Sequence, residues 1–204
     1  VRKDRTNKKQ ILIAVIIFDV SILALFKILS AAFGVAMPLG LSFYVFKMIS
    51  YQADIYNEKI KTPPRLLTLL TYFSLFFQMP QGPIMRFCEE SFNLNKLRLN
   101  LDNLERGLCF FVVGLAMKVL LADRLGILWN EITKTGFESI STPLAWLGVF
   151  SFSFELYFDF WGYSLMAAGI GVMIGLPFVE NFSHPYAAEG VGEFYRRWHM
   201  SLTS

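Results

Sequence analysis

Long apolar stretches separated by short polar turns dominate the chain. The first runs from Ile11 to Phe33, is interrupted only by Asp19 and Lys27, and is long enough for the roughly 20 residues that cross a bilayer. After a break at Pro38 to Gly40, a second stretch continues from Leu41 to Tyr56. The pattern predicts two consecutive membrane-spanning helices.

Ionisable residues inside these stretches are costly in lipid, so we expect them to face protein or water. Asp19 and Lys27 lie about two turns apart and could share a face. A second polar stripe either lines a cavity or makes a buried helix contact, the commoner explanation. Steps of four, four and three residues place its members on one helical face: Phe43, Lys47, Tyr51 and Asp54.

The next apolar stretch, Leu66 to Phe77, is too short to span a membrane and predicts a re-entrant or interfacial helix. The segment that follows, Gln78 to Phe87, contains two prolines and a glycine. At membrane depth such backbone is tolerated only where it is buried in protein or lines a wet cavity. Leucines at three- and four-residue steps then predict an amphipathic surface helix from Glu89 to Arg106.

The second half predicts further helices. Gly107 to Leu121 forms one, and a polar connection from Trp129 to Thr142 precedes the longest apolar region, Pro143 to Val179. We expect Gly162 to divide that region into two helices, and an interfacial helix to cover Phe194 to Leu202. No segment alternates with the period of two typical of strands. The predicted fold class is therefore all-α, a polytopic transmembrane helical protein with re-entrant and interfacial helices.

Composition supports a membrane protein, because the chain is 54% hydrophobic and only 17% charged, against about 25% in soluble domains. The two cysteines are too few for a disulfide framework or a metal site. The basic residues of the flank 1–10 predict that this end is cytoplasmic, and their lack of repetition along a face argues against nucleic-acid binding. They are Arg2, Lys3, Arg5, Lys8 and Lys9.

The chain starts without a methionine and stops inside a predicted helix. We therefore expect residues 1–204 to be part of a single membrane domain that is incomplete at both ends, and to be inactive as this fragment.

Two clusters carry candidate chemistry. The segment Phe194 to Leu202 combines two arginines, a histidine and three aromatic rings, as either a reaction site or a membrane-interface anchor does. Glu155 and Asp159 lie four residues apart on one helical face. They form either an acid–base pair or, more commonly, a hydrogen-bond network between packed helices.

Several motifs closely resemble the membrane-bound O-acyltransferase family, in the branch of alginate O-acetyltransferases and teichoic-acid D-alanyl transfer proteins. The match in order and spacing covers most of the chain after about Pro38. The motifs are Pro38 to Phe43, Gln81 to Ile84, Phe158 to Ser164, Glu180 to Phe182 with Pro185 and Tyr186, and Glu193 to Leu202.

The resemblance implies a many-helix, multi-pass enzyme of the cell membrane that moves an acyl group from a cytoplasmic donor to a hydroxyl on the other side. We expect O-acetylation of an exported cell-surface polysaccharide, with acetyl-CoA or another acyl thioester as donor. D-alanyl transfer to teichoic acid is the alternative. At position 165 alginate-type members usually have an acidic residue, so the leucine found here resembles the D-alanyl branch. A transporter or flippase of a lipid-linked sugar and a non-catalytic scaffold are alternatives of other classes.

The resemblance also implies roles for individual residues. Arg197-Trp198-His199 matches the family's Arg-Trp-His motif, so His199 is the catalytic candidate, and a second functional histidine is expected beyond residue 204. No metal and no bound cofactor are expected. The expected partners are membrane lipids, the acyl donor, the polysaccharide acceptor and periplasmic or extracellular acetylation proteins. The residues expected to bind or support the substrates are Arg196, Arg197, Trp198, Asp159, Asn181, Tyr186, Gln81 and Gly82.

Overall fold

The computed structural model describes residues 2–60, 62, 64–79, 81–87, 97–136 and 138–203, with side chains described from Asn7 onward. Within these ranges the regular structure is helical, and an isolated antiparallel bridge joins Phe182 to Trp198. The predicted all-α class is confirmed for this part of the chain. The helices are α1 Arg2–Phe33, α2 Leu41–Tyr56, α3 Leu66–Phe73, α4 Leu101–Ala116, α5 Asp123–Thr135, α6 Thr142–Met173, α7 Val191–Arg197 and α8 Met200–Thr203.

Among the described helices one is long and apolar enough, by length and composition, to cross a membrane. It comprises Asn7–Phe33 of α1, in which the most apolar 18-residue stretch has a mean hydropathy of 2.7. The helical segment Leu66–Gln78, which comprises α3 and the 3₁₀ turn Phe76–Gln78, is apolar but shorter.

The chain folds into two compact units. The first comprises residues 1–80 and 84–97, and the second comprises residues 81–83 and 98–204. That both belong to one membrane domain stays a prediction.

In the first unit, α1 and α2 pack as an antiparallel pair. Asp19 is buried and its carboxylate accepts a 2.6 Å hydrogen bond from the Gln52 amide, whereas Lys27 is exposed. Near the other end of the pair, Lys8 lies 3.8 Å from Glu58. The inward position expected for Asp19 is therefore observed, but Lys27 does not share it.

The polar stripe of α2 faces the interior of its unit. Lys47, which is 1% exposed, donates a 2.9 Å hydrogen bond to the carbonyl of Tyr72 in α3. Asp54 is also buried and lies 3.4 Å from the Lys59 ammonium. The Tyr72 hydroxyl in turn donates a 2.7 Å hydrogen bond to the carbonyl of Met85, in the proline-containing segment that follows Phe77. The stripe makes buried contacts between elements, the commoner of the two interpretations.

The second unit is built on a long helical rod that runs antiparallel alongside α6. The rod consists of α4, a π-helical turn at Met117–Ala122, and α5. Asn100 caps α4 by accepting a 2.6 Å hydrogen bond from the Asn103 amide, and a proline at the start of α6 suits a helix N-terminus.

Glycines set the separation of α4 and α6. A Cβ atom built on Gly107 would lie 2.5 Å from the Gly169 carbonyl oxygen, and one built on Gly162 would lie 2.7 Å from the Gly114 carbonyl oxygen. Real Cβ atoms do not approach that closely, so the two backbones can meet at these points only through glycine.

Three helix boundaries differ from the sequence predictions. α6 continues through Gly162, which packs against α4 where a break was expected, so the predicted division is wrong. The polar connection expected from Trp129 is helical as far as Thr135. The predicted surface helix lies partly in 88–96, outside the described residues, and its described end, from Leu101 onward, is continuous with the next helix.

Candidate functional site

The chain turns sharply at the centre of the Arg-Trp-His segment. α7 ends at Arg197, Trp198 is extended, and His199 has a left-handed backbone with φ of 50° before α8 begins at Met200. The single interfacial helix expected over Phe194 to Leu202 is therefore wrong.

Backbone pairing with residues 181–183 explains the turn. The Ser183 amide donates to the Arg197 carbonyl at 3.0 Å, and the Met200 amide donates to the Asn181 carbonyl at 2.9 Å. These bonds, on either side of the Phe182–Trp198 bridge, replace helical ones. A non-glycine residue in the left-handed region is uncommon, although histidine is among the tolerated types. Such strained residues cluster at functional sites.

A buried polar cluster holds the His199 ring. Its Nδ1 lies 2.9 Å from Oδ1 of Asn181, which also receives the Ser201 hydroxyl at 2.9 Å and the Ser201 backbone amide at 3.3 Å. On its other side the Asn181 amide nitrogen donates to the Ser164 hydroxyl at 2.7 Å. Ser164 lies on α6 and donates to the carbonyl of Gln81 at 3.2 Å.

Aromatic rings form the wall beside this cluster. Phe160 of α6 meets the His199 ring with centroids 4.9 Å apart, and it also meets Phe182 at 5.1 Å. Trp198 packs edge-on against Phe182 at 5.0 Å and stacks on Phe194 at 5.5 Å. Apolar surroundings of this kind favour the uncharged form of an imidazole, and burial lowers the pKa of His199 below its ordinary value of 6.5.

Tyr186 stands behind the aromatic wall. Its ring lies 5.4 Å from that of Tyr157, and its hydroxyl donates to the Ser153 carbonyl at 2.9 Å. Burial raises the pKa of Tyr186, so its phenol stays protonated as a donor. This arrangement fits a supporting position for Tyr186.

The two arginines of the motif have different surroundings. The Arg197 guanidinium forms a 2.6 Å ion pair with Glu193 one turn earlier, and the other oxygen of that carboxylate accepts from the Glu189 amide. The Glu189 amide and the Arg197 guanidinium hold the pKa of Glu193 below its usual value. Arg196 is exposed, and no carboxylate of the described residues pairs with it. Arg196 is therefore the arginine available to an anion.

The two carboxylates of α6 face the helical rod. Asp159 forms a 2.7 Å ion pair with Lys118 of the π-helical turn, and Lys118 also pairs with Asp123 at 2.7 Å. Glu155 packs against Gly126 of α5, and its Oε2 has no hydrogen-bond partner among the described residues. The contacts of Asp159 favour a network between packed helices over an acid–base pair, and they do not bring it to the His199 cluster.

The segment Gln81 to Pro83 reaches the cluster through its backbone. The carbonyl of Gln81 binds Ser164, while the Gln81 side chain is exposed and Gly82 is buried. A cavity of about 130 Å³ lies beside Ser164 and Asn181. Its lining residues are Trp161, Ser164, Leu165, Phe178, Val179, Glu180, Asn181 and Phe182.

Sequence reasoning missed several residues that surround the histidine. Ser201 and Ser164 lie inside the quoted motifs but carry no signal that separates them from ordinary hydroxyls, and Phe160 reads as one of many apolar residues. Lys118, a lone cation in an apolar helix, was a detectable signal for an ion pair between helices, and the pair it forms with Asp159 is partly exposed. Among the described residues no group of three or more histidines, cysteines or carboxylates is placed to hold a metal ion.

Comparison with protein families gives a match along most of the chain. The family model described as MBOAT, membrane-bound O-acyltransferase family, matches residues 22–204. The match includes every residue of the His199 cluster.

Individual relatives agree with this match. A probable alginate O-acetylase of Pseudomonas syringae pv. tomato is 38% identical over 170 residues, which are 83% of this chain and 32% of the relative. A peptidoglycan O-acetyltransferase of Helicobacter pylori is 32% identical over 82% of this chain and 37% of its own length. A teichoic acid D-alanyltransferase of Streptococcus thermophilus is 26% identical over 81% of this chain and 41% of its own length. The chain thus spans about a third of the length of the acetylases it matches.

Proposed function

The chain belongs to the membrane-bound O-acyltransferase family, and we propose that it supplies part of the reaction site of an enzyme that acetylates an exported cell-envelope polysaccharide. The observation that carries this proposal is the position of His199. It occupies the family's Arg-Trp-His motif, its ring is held by a buried asparagine, and burial favours the neutral imidazole that a general base requires.

In the proposed reaction a polysaccharide hydroxyl attacks the carbonyl carbon of an acetyl thioester. The His199 imidazole takes the hydroxyl proton as the new carbon–oxygen bond forms. The carbon–sulfur bond then breaks, and the imidazolium returns the proton to the departing sulfur. The products are an O-acetyl ester and a free thiol, and no further reactant is needed. The second histidine that the resemblance implies stays a prediction and would complete the site.

Arg196 is the residue we assign to the donor. Acyl donors such as acetyl-CoA carry phosphates, and arginine binds phosphate through a planar fork of N–H donors. Its exposed guanidinium is available for that contact, whereas Arg197 is engaged by Glu193. Donor binding by Arg196 therefore needs no existing ion pair to break.

We also propose that the chain is multi-pass, with the N-terminal flank in the cytoplasm and Leu66–Gln78 as a re-entrant helix. Large apolar side chains are exposed along α1, α2, α4 and α6, as lipid-facing surfaces require. The ion pair between Lys8 and Glu58 supports placing the basic flank and the turn after α2 on one side of the membrane.

The similarity to known relatives supports acetyl as the transferred acyl group. Those named for acetyl transfer are 32–38% identical, and those named for D-alanyl transfer are 26–29% identical. D-alanyl transfer to teichoic acid is the second candidate, because the leucine at position 165 resembles the D-alanyl branch of the family. The interaction partners that we propose are membrane lipids, the acyl donor, the polysaccharide acceptor and periplasmic or extracellular acetylation proteins.

The test compares the two histidines of the chain in the full-length protein. Both His199 and His184 have left-handed backbones with φ of 50°, which asparagine also tolerates, so His199→Asn and His184→Asn are matched variants. Ester-linked acetate on the cell-envelope polysaccharide is released by mild base and quantified. We expect His199→Asn to lose roughly 10²- to 10⁴-fold of the transfer rate, the usual contribution of a general base.

His184 is exposed and lies outside the polar cluster, so His184→Asn should acetylate at close to the normal rate. Both variants are first shown to be folded and inserted in the membrane. Full acetylation in a folded His199→Asn protein would contradict the proposal. Release of D-alanine in place of acetate would favour the second candidate, and loss of the polymer from the cell surface would favour a transporter.

A further inference from the structure

The Asn181 side chain links the polar side chains of the His199 cluster. It is 4% exposed, and its carboxamide contacts His199, Ser201 and Ser164 at 2.7–3.3 Å. A carboxamide has one accepting oxygen and one donating nitrogen. Its orientation therefore fixes the direction of each of these hydrogen bonds.

Two partners independently determine which end of the carboxamide faces the histidine. The Ser201 backbone amide can only donate, and it lies 3.3 Å from the end that also meets the ring, so that end must be the oxygen. At the other end, Ser164 uses its one hydroxyl proton on the Gln81 carbonyl, which can only accept. Ser164 must then accept from Asn181, so this end is the nitrogen.

The orientation of Asn181 decides the protonation of the ring. Since Oδ1 only accepts, Nδ1 of His199 must carry a proton to form the 2.9 Å bond. In a neutral imidazole the lone pair then lies on Nε2. We infer that Asn181 is a positioning residue that holds His199 as the Nδ1–H tautomer and so makes Nε2 the atom that accepts the substrate proton. The role given to Nε2 rests on the proposed function, whereas the tautomer does not.

Asn181 also fixes the ring in space. Its backbone carbonyl binds the amide of Met200, the residue after His199, while its side chain binds the ring. Phe160 limits the ring from the side at 4.9 Å. Turning the ring over would remove Nδ1 from Asn181 and leave a buried oxygen with one donor fewer, which is costly. The backbone and the ring of the histidine are therefore held by the same residue.

The test uses two substitutions of Asn181 in the full-length protein. Asn181→Leu has a similar size and no acceptor, so it removes the preference between the two tautomers. Asn181→Asp keeps an acceptor for the Nδ1 proton but adds a negative charge, which raises the pKa of the imidazole. Asn130→Leu is the matched control, because Asn130 is an exposed asparagine of α5 outside the His199 cluster, and this variant should keep the wild-type tautomer and activity.

The first readout is the ¹⁵N spectrum of histidine-labelled protein at a pH where the ring is neutral, with the His199 signals assigned by their loss in His199→Asn. We expect the proton on Nδ1 in the wild type and in Asn181→Asp, and a mixture of tautomers in Asn181→Leu. A proton on Nε2 in the wild type would overturn the inference even if His199 proves essential.

The second readout is the pH profile of acyl transfer. We expect roughly a 10- to 10³-fold loss in Asn181→Leu, about tenfold smaller at each end than the roughly 10²- to 10⁴-fold contribution of the general base itself. Asn181→Asp should recover most of that loss, with its acid limb moved to higher pH. Equal losses in both variants with no shift of the limb would mean that Asn181 is merely structural. If His199→Asn stays active, the proposed function fails while the spectrum still decides the tautomer.

Discussion

Substituting Gly114 by alanine tests how closely α4 and α6 approach. A Cβ atom at this position would collide with the carbonyl oxygen of Gly162 and would lie 2.9 Å from the backbone nitrogen of Met166. Both are backbone atoms of α6, so no side-chain rotation relieves the contact. The two helices would have to move apart.

The expected cost follows from two opposing effects. Forcing a methyl group into a packed interface typically costs about 1–3 kcal/mol. Replacing glycine by alanine inside a helix returns up to about 1 kcal/mol. From the middle of the first range, about 2 kcal/mol, the net loss is about 1–2 kcal/mol, and at roughly 2–4 °C per kcal/mol the melting temperature should fall by about 2–8 °C.

The assay is the thermal stability of the full-length protein in detergent, measured as the fraction that remains monodisperse after heating. Gly192→Ala is the matched control, because it is also a helical glycine but its Cβ would meet only the end of the flexible Arg196 side chain at 3.7 Å. This control should be slightly stabilising. Adding Gly162→Ala to Gly114→Ala should cost less than the sum of the single effects, because the first methyl already separates the helices. A Gly114→Ala protein as stable as the control would refute the close approach.

Three further predictions concern His199 and the two arginines. Because burial lowers the pKa of His199, kcat/KM should rise with pH along a limb centred below 6.5 and level off above it; a limb centred above 6.5 would contradict this. By the same linkage the folded state should lose stability as the pH falls through 6.5, since the unfolded chain then binds more protons. Arg196→Ala should raise the KM for acetyl-CoA about tenfold, the loss of roughly 1.4 kcal/mol. Arg197→Ala should act mainly on stability by breaking its pair with Glu193, so the reverse ranking of the two KM values would argue against the assignment.

Patterns within single segments predicted much of the helical structure. Leu41 to Tyr56 forms a helix with the bounds that its apolar pattern indicates, and Leu66 begins a short one. Both follow from the length and spacing of apolar residues, which are properties of the local sequence. The Arg-Trp-His motif likewise pointed to the family before any geometry was known.

Gly162 shows where local reasoning failed. A glycine inside an apolar run is compatible with a helix break or with a close contact, and the difference depends on a partner 48 residues away. Here that partner is the backbone of Gly114, so the helix continues. The sequence shows that position 162 has no side chain, but it does not show which part of the protein packs against that position.

The histidine shows the same limit at the site. Local sequence patterns were enough to predict a helical membrane protein with His199 in a family motif. The break of the helix at His199 depends on tertiary contacts, because residues 181–183 supply backbone partners there. Folding also brings Asn181, 18 residues earlier in the chain, to the position where its oxygen accepts a hydrogen bond from Nδ1. Hydrogen-bond direction depends on every partner a buried group meets, and those partners come together only on folding.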